Sequence, residues 1–138
     1  MKWWLQDIIL FDKMDFGEQR QMAGRYVQIS NGYRQMWEVE RIWKLAEELP
    51  TEEIELEQVV GIDQVTWFNE QQQPTIRSVV SHCERILNCD LSYPVILTED
   101  FRVFDGMHRI ARHLLDGKKT IKVKRFPKNP EPDEAGHI

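Results

Sequence analysis

The chain has 138 residues, a net charge of −5, 41% hydrophobic residues and 30% charged ones, the size of one domain with a modest core. That balance is the make-up of a soluble globular protein and excludes a fibrous or wholly disordered chain. Net acidity argues against a general nucleic-acid binder.

The chain begins with a dense apolar stretch, Trp3, Trp4, Leu5, Ile8, Ile9, Leu10 and Phe11, which reads as a helix packed on the body in preference to a partner surface. Gln6 and Asp7 interrupt it, so it is no signal peptide. No apolar run approaches the roughly 20 residues of a membrane span, so the expected setting is the cytoplasm, with no membrane partner. Ser30-Asn31-Gly32 is a turn or helix-start signal. From Arg34 to Leu49, Met36, Val39, Trp43 and Ala46 form a stripe that predicts a helix ended by Pro50. Residues 1–50 are therefore expected to form an N-terminal helical extension.

A domain over 51–128 follows. Ile54 to Val60 reads as a strand, and Gly61-Ile62-Asp63 turns the chain toward Val65–Phe68 and a polar loop, Asn69 to Gln73. Pro74 and Thr75 open a helix. Its apolar face is Ile76, Val79, Val80, Cys83, Ile86 and Leu87, and its polar face Arg77, Ser78, Ser81, Glu84 and Arg85. By that pattern Cys83 is a buried structural thiol. Cys83 and Cys89 are too few for a disulfide framework, and the four histidines stand at no zinc-ligand spacing from them. Short strands are predicted at Tyr93–Leu97 and Phe101–Phe104, joined by Thr98-Glu99-Asp100. Met107, Ile110, Ala111, Leu114 and Leu115 then recur at helical spacing until Asp116-Gly117 stops the helix. Ile121 and Val123 alternate with Lys122 and Lys124, as in a half-buried strand. The tail, 129–138, is proline-rich, polar and expected to be disordered. The fold class is α+β, a small mixed sheet with packed helices.

The chemistry concentrates at the corner Asp105-Gly106-Met107-His108-Arg109. A helix that starts after glycine offers backbone N–H groups at the positive end of its dipole, a natural seat for phosphate. Arg109 can fork two hydrogen bonds onto phosphate oxygens, and His108 can donate to them or move a proton. From Phe101 to Lys128 there are nine Lys/Arg against two Asp/Glu, a local +7 in a chain whose remainder carries −12. Such a segment suits a phosphate-bearing ligand. The bland alternative makes Asp105 an N-cap, Gly106 a turn residue and Arg109 a solvated side chain.

The string VILTEDFRVFDGMHRIARHLLDGKKTIKVKRF resembles the core of the ParB/sulfiredoxin-like superfamily: an apolar strand, a hairpin, an Asp-Gly-x-His-Arg corner on a helix, and a closing strand after Gly. The resemblance extends over roughly residues 54–126, with Gly106, His108, Arg109 and Ala111 on matching positions. It implies a nucleotide (ATP, ADP or CTP) held at the corner by Gly106, Met107, His108 and Arg109. Sulfiredoxin-type reductase activity is excluded, because Met107 stands where those members carry their catalytic cysteine. Twelve residues follow Phe126, so the DNA-reading and dimerisation parts of a complete partition clamp are not expected. The version here is most similar to the small-molecule kinase branch. That branch implies a phosphotransferase or nucleotide hydrolase acting on a small hydroxyl substrate, with Glu70 as base, Asp105 near Mg²⁺, and His108 and Asp105 as further catalytic candidates. The alternative is a non-enzymatic, nucleotide-gated adaptor or a DNA-associated binding module. A homodimer is compatible with either, and nucleic acid has only the basic segment behind it.

Overall fold

The computed structural model describes residues 24–138; the helix expected over Trp3–Phe11 lies outside the described residues. The fold is α+β, built from two sheets and three α-helices among those residues. It opens with a hairpin, β1 (Arg25–Ser30) and β2 (Tyr33–Glu38). The turn residues Asn31 and Gly32 both have positive φ, 53° and 76°, the geometry a two-residue hairpin turn requires. This corrects the expected N-terminal helical extension: residues 34–38 are strand, and the helix α1 runs only from Val39 to Ala46. Met36 and Trp37 are buried from the strand, whereas Val39, Ile42 and Ala46 form the inward stripe of the helix.

The tail is ordered, against expectation. β7 (Glu134–His137) pairs antiparallel with β2. The Trp37 Nε1 donates to the Pro130 carbonyl at 2.8 Å, and Asp133 Oδ2 accepts from the Glu38 amide at 2.8 Å and Arg41 Nη1 at 3.0 Å. The segment has no apolar stripe of its own; a strand edge recruits it, and composition does not record that.

The second sheet has the order β3 (Glu52–Glu55), β6 (Thr120–Arg125), β4 (Val95–Leu97), β5 (Val103–Asp105). Only the β4–β6 pair is parallel. The strand expected to reach Val60 stops at Glu55, where Gln58 and Glu55 exchange side-chain-to-backbone hydrogen bonds around a 3₁₀ turn, Leu56–Gln58. Leu56, Val59, Val95, Leu97, Val103, Ile110, Ile121 and Val123 fill one core. A second core joins Trp37, Ile42 and Ala46 to Ile96, Phe104 and Phe126, so it draws on both sides of residue 50. Tyr26 and Trp37 meet Phe104 at ring distances of 5.0 and 5.6 Å, docking the hairpin on β5.

The helix α2 (Ile76–Asn88) starts at Thr75, whose side chain accepts from the Ser78 amide. It packs on α3 (Met107–Leu115), but not in the expected sense. Ser81 and Arg85 are buried, while Ile76 is 85% and Leu87 57% exposed, and Val79 and Val80 are exposed with them. Cys83 is exposed too, which corrects its reading as a buried thiol. The apolar stripe faces outward because the polar stripe is committed to the site between α2 and α3.

Candidate functional site

Gly106 separates β5 from α3 with φ at +121°, a backbone setting that glycine adopts without strain. A Cβ there would sit 2.8 Å from Arg109 Nη2 and 2.9 Å from Val95 Cγ2. The guanidinium of Arg109 therefore folds back over Gly106 and is not the solvated side chain of the bland alternative. Arg109 is 7% exposed and its Nη2 stands 3.3 Å from Asp105 Oδ2. The same carboxylate oxygen accepts from Trp43 Nε1 at 2.9 Å. Asp105 thus ties α1 to the corner and does not cap the helix; no side chain caps α3. The first hydrogen bond of α3 runs from the Ile110 amide to the Gly106 carbonyl, leaving the preceding amides without helical acceptors. The Nε of Arg109 is buried with no hydrogen-bond partner, and a native buried donor of that kind calls for a polar group to meet it.

His108 turns toward α2. Its Nε2 is 2.8 Å from Nδ1 of His82, and the two rings stack at 5.1 Å. Trp67 lies nearly parallel to both, 4.4 Å from His82 and 4.7 Å from His108, and Phe68 meets His82 edge-on. Burial, with help from the Arg85 cation, lowers the pKa of His82 to about 4. Burial, then His82, Arg85 and Arg109, hold His108 well below the ordinary histidine range. Both rings are neutral near neutral pH, one donating to the other. The charged groups that lower them are the Arg85 and Arg109 guanidiniums, the second of which is paired with Asp105.

An apolar cleft of about 280 Å³ adjoins this site, lined by Val59, Ile62, Trp67, Phe68, Met107 and Ile110 among others. Met107 belongs both to the cleft and to the first turn of α3, and Trp67 separates the cleft from the imidazole pair. Cleft, helix start and cations are thus contiguous.

Of the residues the sequence singled out, Asp105, Gly106, Met107, His108 and Arg109 are together by construction, and Glu70 is not joined to them. Glu70 is exposed in the loop after Phe68; the hydrogen bond recorded for it is through its backbone carbonyl, from Gln73 Nε2 at 3.0 Å. Among the described residues no group of three His, Cys, Asp or Glu side chains is gathered to hold a metal ion. The expected metal residue, Asp105, already has one oxygen shared by Trp43 and Arg109. The sequence reading missed Trp67, His82, Arg85 and Trp43. A signal for two of them was present: Ser78, Ser81, His82 and Arg85 recur at helical spacing as regularly as the apolar residues on the other side of α2.

No family model, curated protein or solved structure matches this chain. Among the described residues no helix is long and apolar enough to cross a membrane.

Proposed function

We propose that this is a nucleotide-binding protein of the ParB/sulfiredoxin-like type, with phosphate at the start of α3 and the base or sugar in the adjoining cleft. One observation carries the reading. An uncapped helix start, preceded by Gly106 in a left-handed conformation, lies over a buried arginine whose Nε has no partner. Helix-start amides and a guanidinium are the donors that phosphate oxygens accept from. The guanidiniums of Arg85 and Arg109 beside the imidazole pair support the same polarity, and the Met107 side of the cleft supplies apolar surface beside it.

Phosphoryl transfer or nucleotide hydrolysis is the finer part of the proposal. Glu70 is the candidate base by sequence, and the loop that bears it also carries Trp67 and Phe68 to the site. Asp105 does not fit as a Mg²⁺ ligand while it pairs with Arg109 and Trp43, so Mg²⁺ would arrive with the nucleotide. The nucleotide-gated adaptor is the second reading, and the exposure of the Glu70 side chain favours it.

The test is calorimetry of the full chain with CTP, ATP, ADP and GTP, with and without Mg²⁺, followed by assays for hydrolysis and for phosphorylation of free serine. Binding of at least one nucleotide, with a ligand-dependent rise in Tm, is expected. No binding by the folded wild type to any of the four would end the reading, and binding without turnover would select the adaptor.

A further inference from the structure

A second cavity, of about 540 Å³, lies between β3, β6, the end of α3 and the segment before β4. It shares no lining residue with the apolar cleft and none with the Asp105–Arg109 corner, so the nucleotide reading leaves it unused. Its size is within the ordinary range for a small-molecule site. Val95 and Ile121, both buried, supply apolar surface, and the rest of the lining is mainly polar.

His113 is held there in one orientation. Its Nδ1 is 2.7 Å from the Arg109 carbonyl, an oxygen that can only accept, so Nδ1 carries the proton. In the neutral ring Nε2 is then an acceptor, and it is the ring nitrogen left for a ligand. The Lys118 amide donates to the His113 carbonyl at 2.9 Å, which ties that lysine to the residue supplying the imidazole. Glu53 stands directly opposite Lys122 in the β3–β6 pair, yet its Oε2 accepts from Thr120 Oγ1 at 2.6 Å. Among the described residues neither Lys118 nor Lys122 is in an ion pair. Both belong to the basic segment from Phe101 to Lys128, a signal that the corner, with Arg109 paired to Asp105, does not use up.

We propose that this cavity binds a small phosphomonoester bearing free hydroxyls, a sugar or polyol phosphate, with its phosphate on Lys118 and Lys122 and a hydroxyl donating to His113 Nε2. Charge selects the anion: a phosphomonoester carries about −1.5 to −2 at pH 7, which two ammonium groups match better than they match a single carboxylate. The other groups select the hydroxyls. His113 Nε2 and the remaining oxygen of Glu53 accept, the Thr51 hydroxyl can donate or accept, and the carbon skeleton covers Val95 and Ile121. This site is independent of any nucleotide at the corner.

The probes are glycerol 3-phosphate and glucose 6-phosphate, titrated into the full chain by calorimetry and followed through the histidine side-chain resonances in nitrogen-15 NMR, with inorganic phosphate and glucose as controls. At least one probe should bind more tightly than inorganic phosphate, glucose should not bind, and the His113 Nε2 resonance should move while those of His82 and His108 stay in place. Lys118→Gln and Lys122→Gln alter exposed side chains, so the fold should be kept, and each should weaken binding by about ten-fold or more, the worth of a hydrogen bond to a charged group. His113→Asn retains an amide donor for the Arg109 carbonyl but lacks Nε2, and should weaken binding with Tm maintained. No binding of either probe by the folded protein would overturn the proposal. So would equal affinity for inorganic phosphate, which would reduce the site to a bare anion spot, or binding undiminished when both lysines are replaced. Shifts confined to His82 and His108 would place the probe beside the start of α3, overturning this proposal and leaving the nucleotide reading intact.

Discussion

His82 Nδ1 and His108 Nε2 lie 2.8 Å apart across 26 residues of sequence, a contact that joins α2 to α3 at the point where the site forms. Each nitrogen can be donor or acceptor, but the bond requires one of each, so protonating both rings breaks it. The pKa of His82 falls to about 4 and that of His108 is also lowered, burial leading in both cases. A histidine whose folded pKa lies below its unfolded value contributes stability above the unfolded pKa and loses it as pH falls toward the folded one. Urea unfolding should therefore show stability flat above pH 7 and declining below about 6.5, by up to about 1.4 kcal/mol per pH unit for each histidine. Replacing His82 by Asn should lower stability at pH 7 and flatten the decline. A wild-type profile that stays level from pH 6.5 to pH 5 would contradict the buried neutral pair.

The misreading of α2 shows where sequence stops being informative. Periodicity located the helix to within a residue or two, yet gave two interleaved stripes, and the rule that apolar residues point inward chose the wrong one. A polar stripe wins only when specific partners await it, here His108 and the α3 corner, and those partners come from residues far along the chain. The hairpin is a different case. Asn31-Gly32 between residues rich in Tyr, Val, Ile and Trp is a strong local hairpin signal, and it was available; the helical stripe downstream, which begins only at Val39, masked it. The strand-Gly-helix-Gly-strand order from Val95 to Arg125 was legible because every signal there is local. The pairing of Trp67 with two histidines was not, since it is made by tertiary packing alone.

Substitutions at Gly106 and Arg109 should be coupled. Gly106→Ala places a methyl 2.8 Å from the Arg109 guanidinium and 2.9 Å from Val95 at a φ of +121°. A cost on the order of 1–3 kcal/mol is expected from the backbone alone, plus displacement of Arg109. Arg109→Ala leaves the Asp105 carboxylate without its guanidinium partner, and breaking a pair this buried costs roughly 3–5 kcal/mol. Removing the arginine also removes part of what the new methyl strikes, so the double variant should lose less than the sum of the two. Urea midpoints of the four proteins complete the cycle, and strict additivity would mean that the two residues do not touch.

Glu70→Gln separates structure from chemistry. Its side chain is exposed, so folding stability should change by less than about 0.5 kcal/mol and nucleotide affinity should be unchanged. If the protein turns nucleotide over with Glu70 as base, the rate should fall by roughly 10²–10⁴-fold. An active wild type with an equally active Glu70→Gln variant would transfer the role to the imidazole pair, the next proton acceptor in the site.

The tail provides the last prediction, because its order rests on strand pairing with β2 and on hydrogen bonds to β2, α1 and Glu99. Asp133 Oδ2 holds both the Glu38 amide and Arg41, Trp37 holds Pro130, and β7 adds a strand to β2. The Glu38 amide, seconded by Arg41, keeps the Asp133 carboxyl below its usual pKa. A carboxyl of this kind contributes above its unfolded pKa and releases only as pH falls through the lower folded value, so the strap should outlast the histidine-linked decline on acidification. Hydrogen exchange followed by mass spectrometry should find the β7 amides protected at pH 7, where a free tail would exchange at the random-coil rate. Asp133→Ala should abolish that protection while leaving β4 and β6 protected, since those strands have their own core. Trp37→Phe should shift the tail the same way and lower global stability by about 1 kcal/mol, the worth of one hydrogen bond. Random-coil exchange across 134–137 in the wild type would show that β7 does not pair.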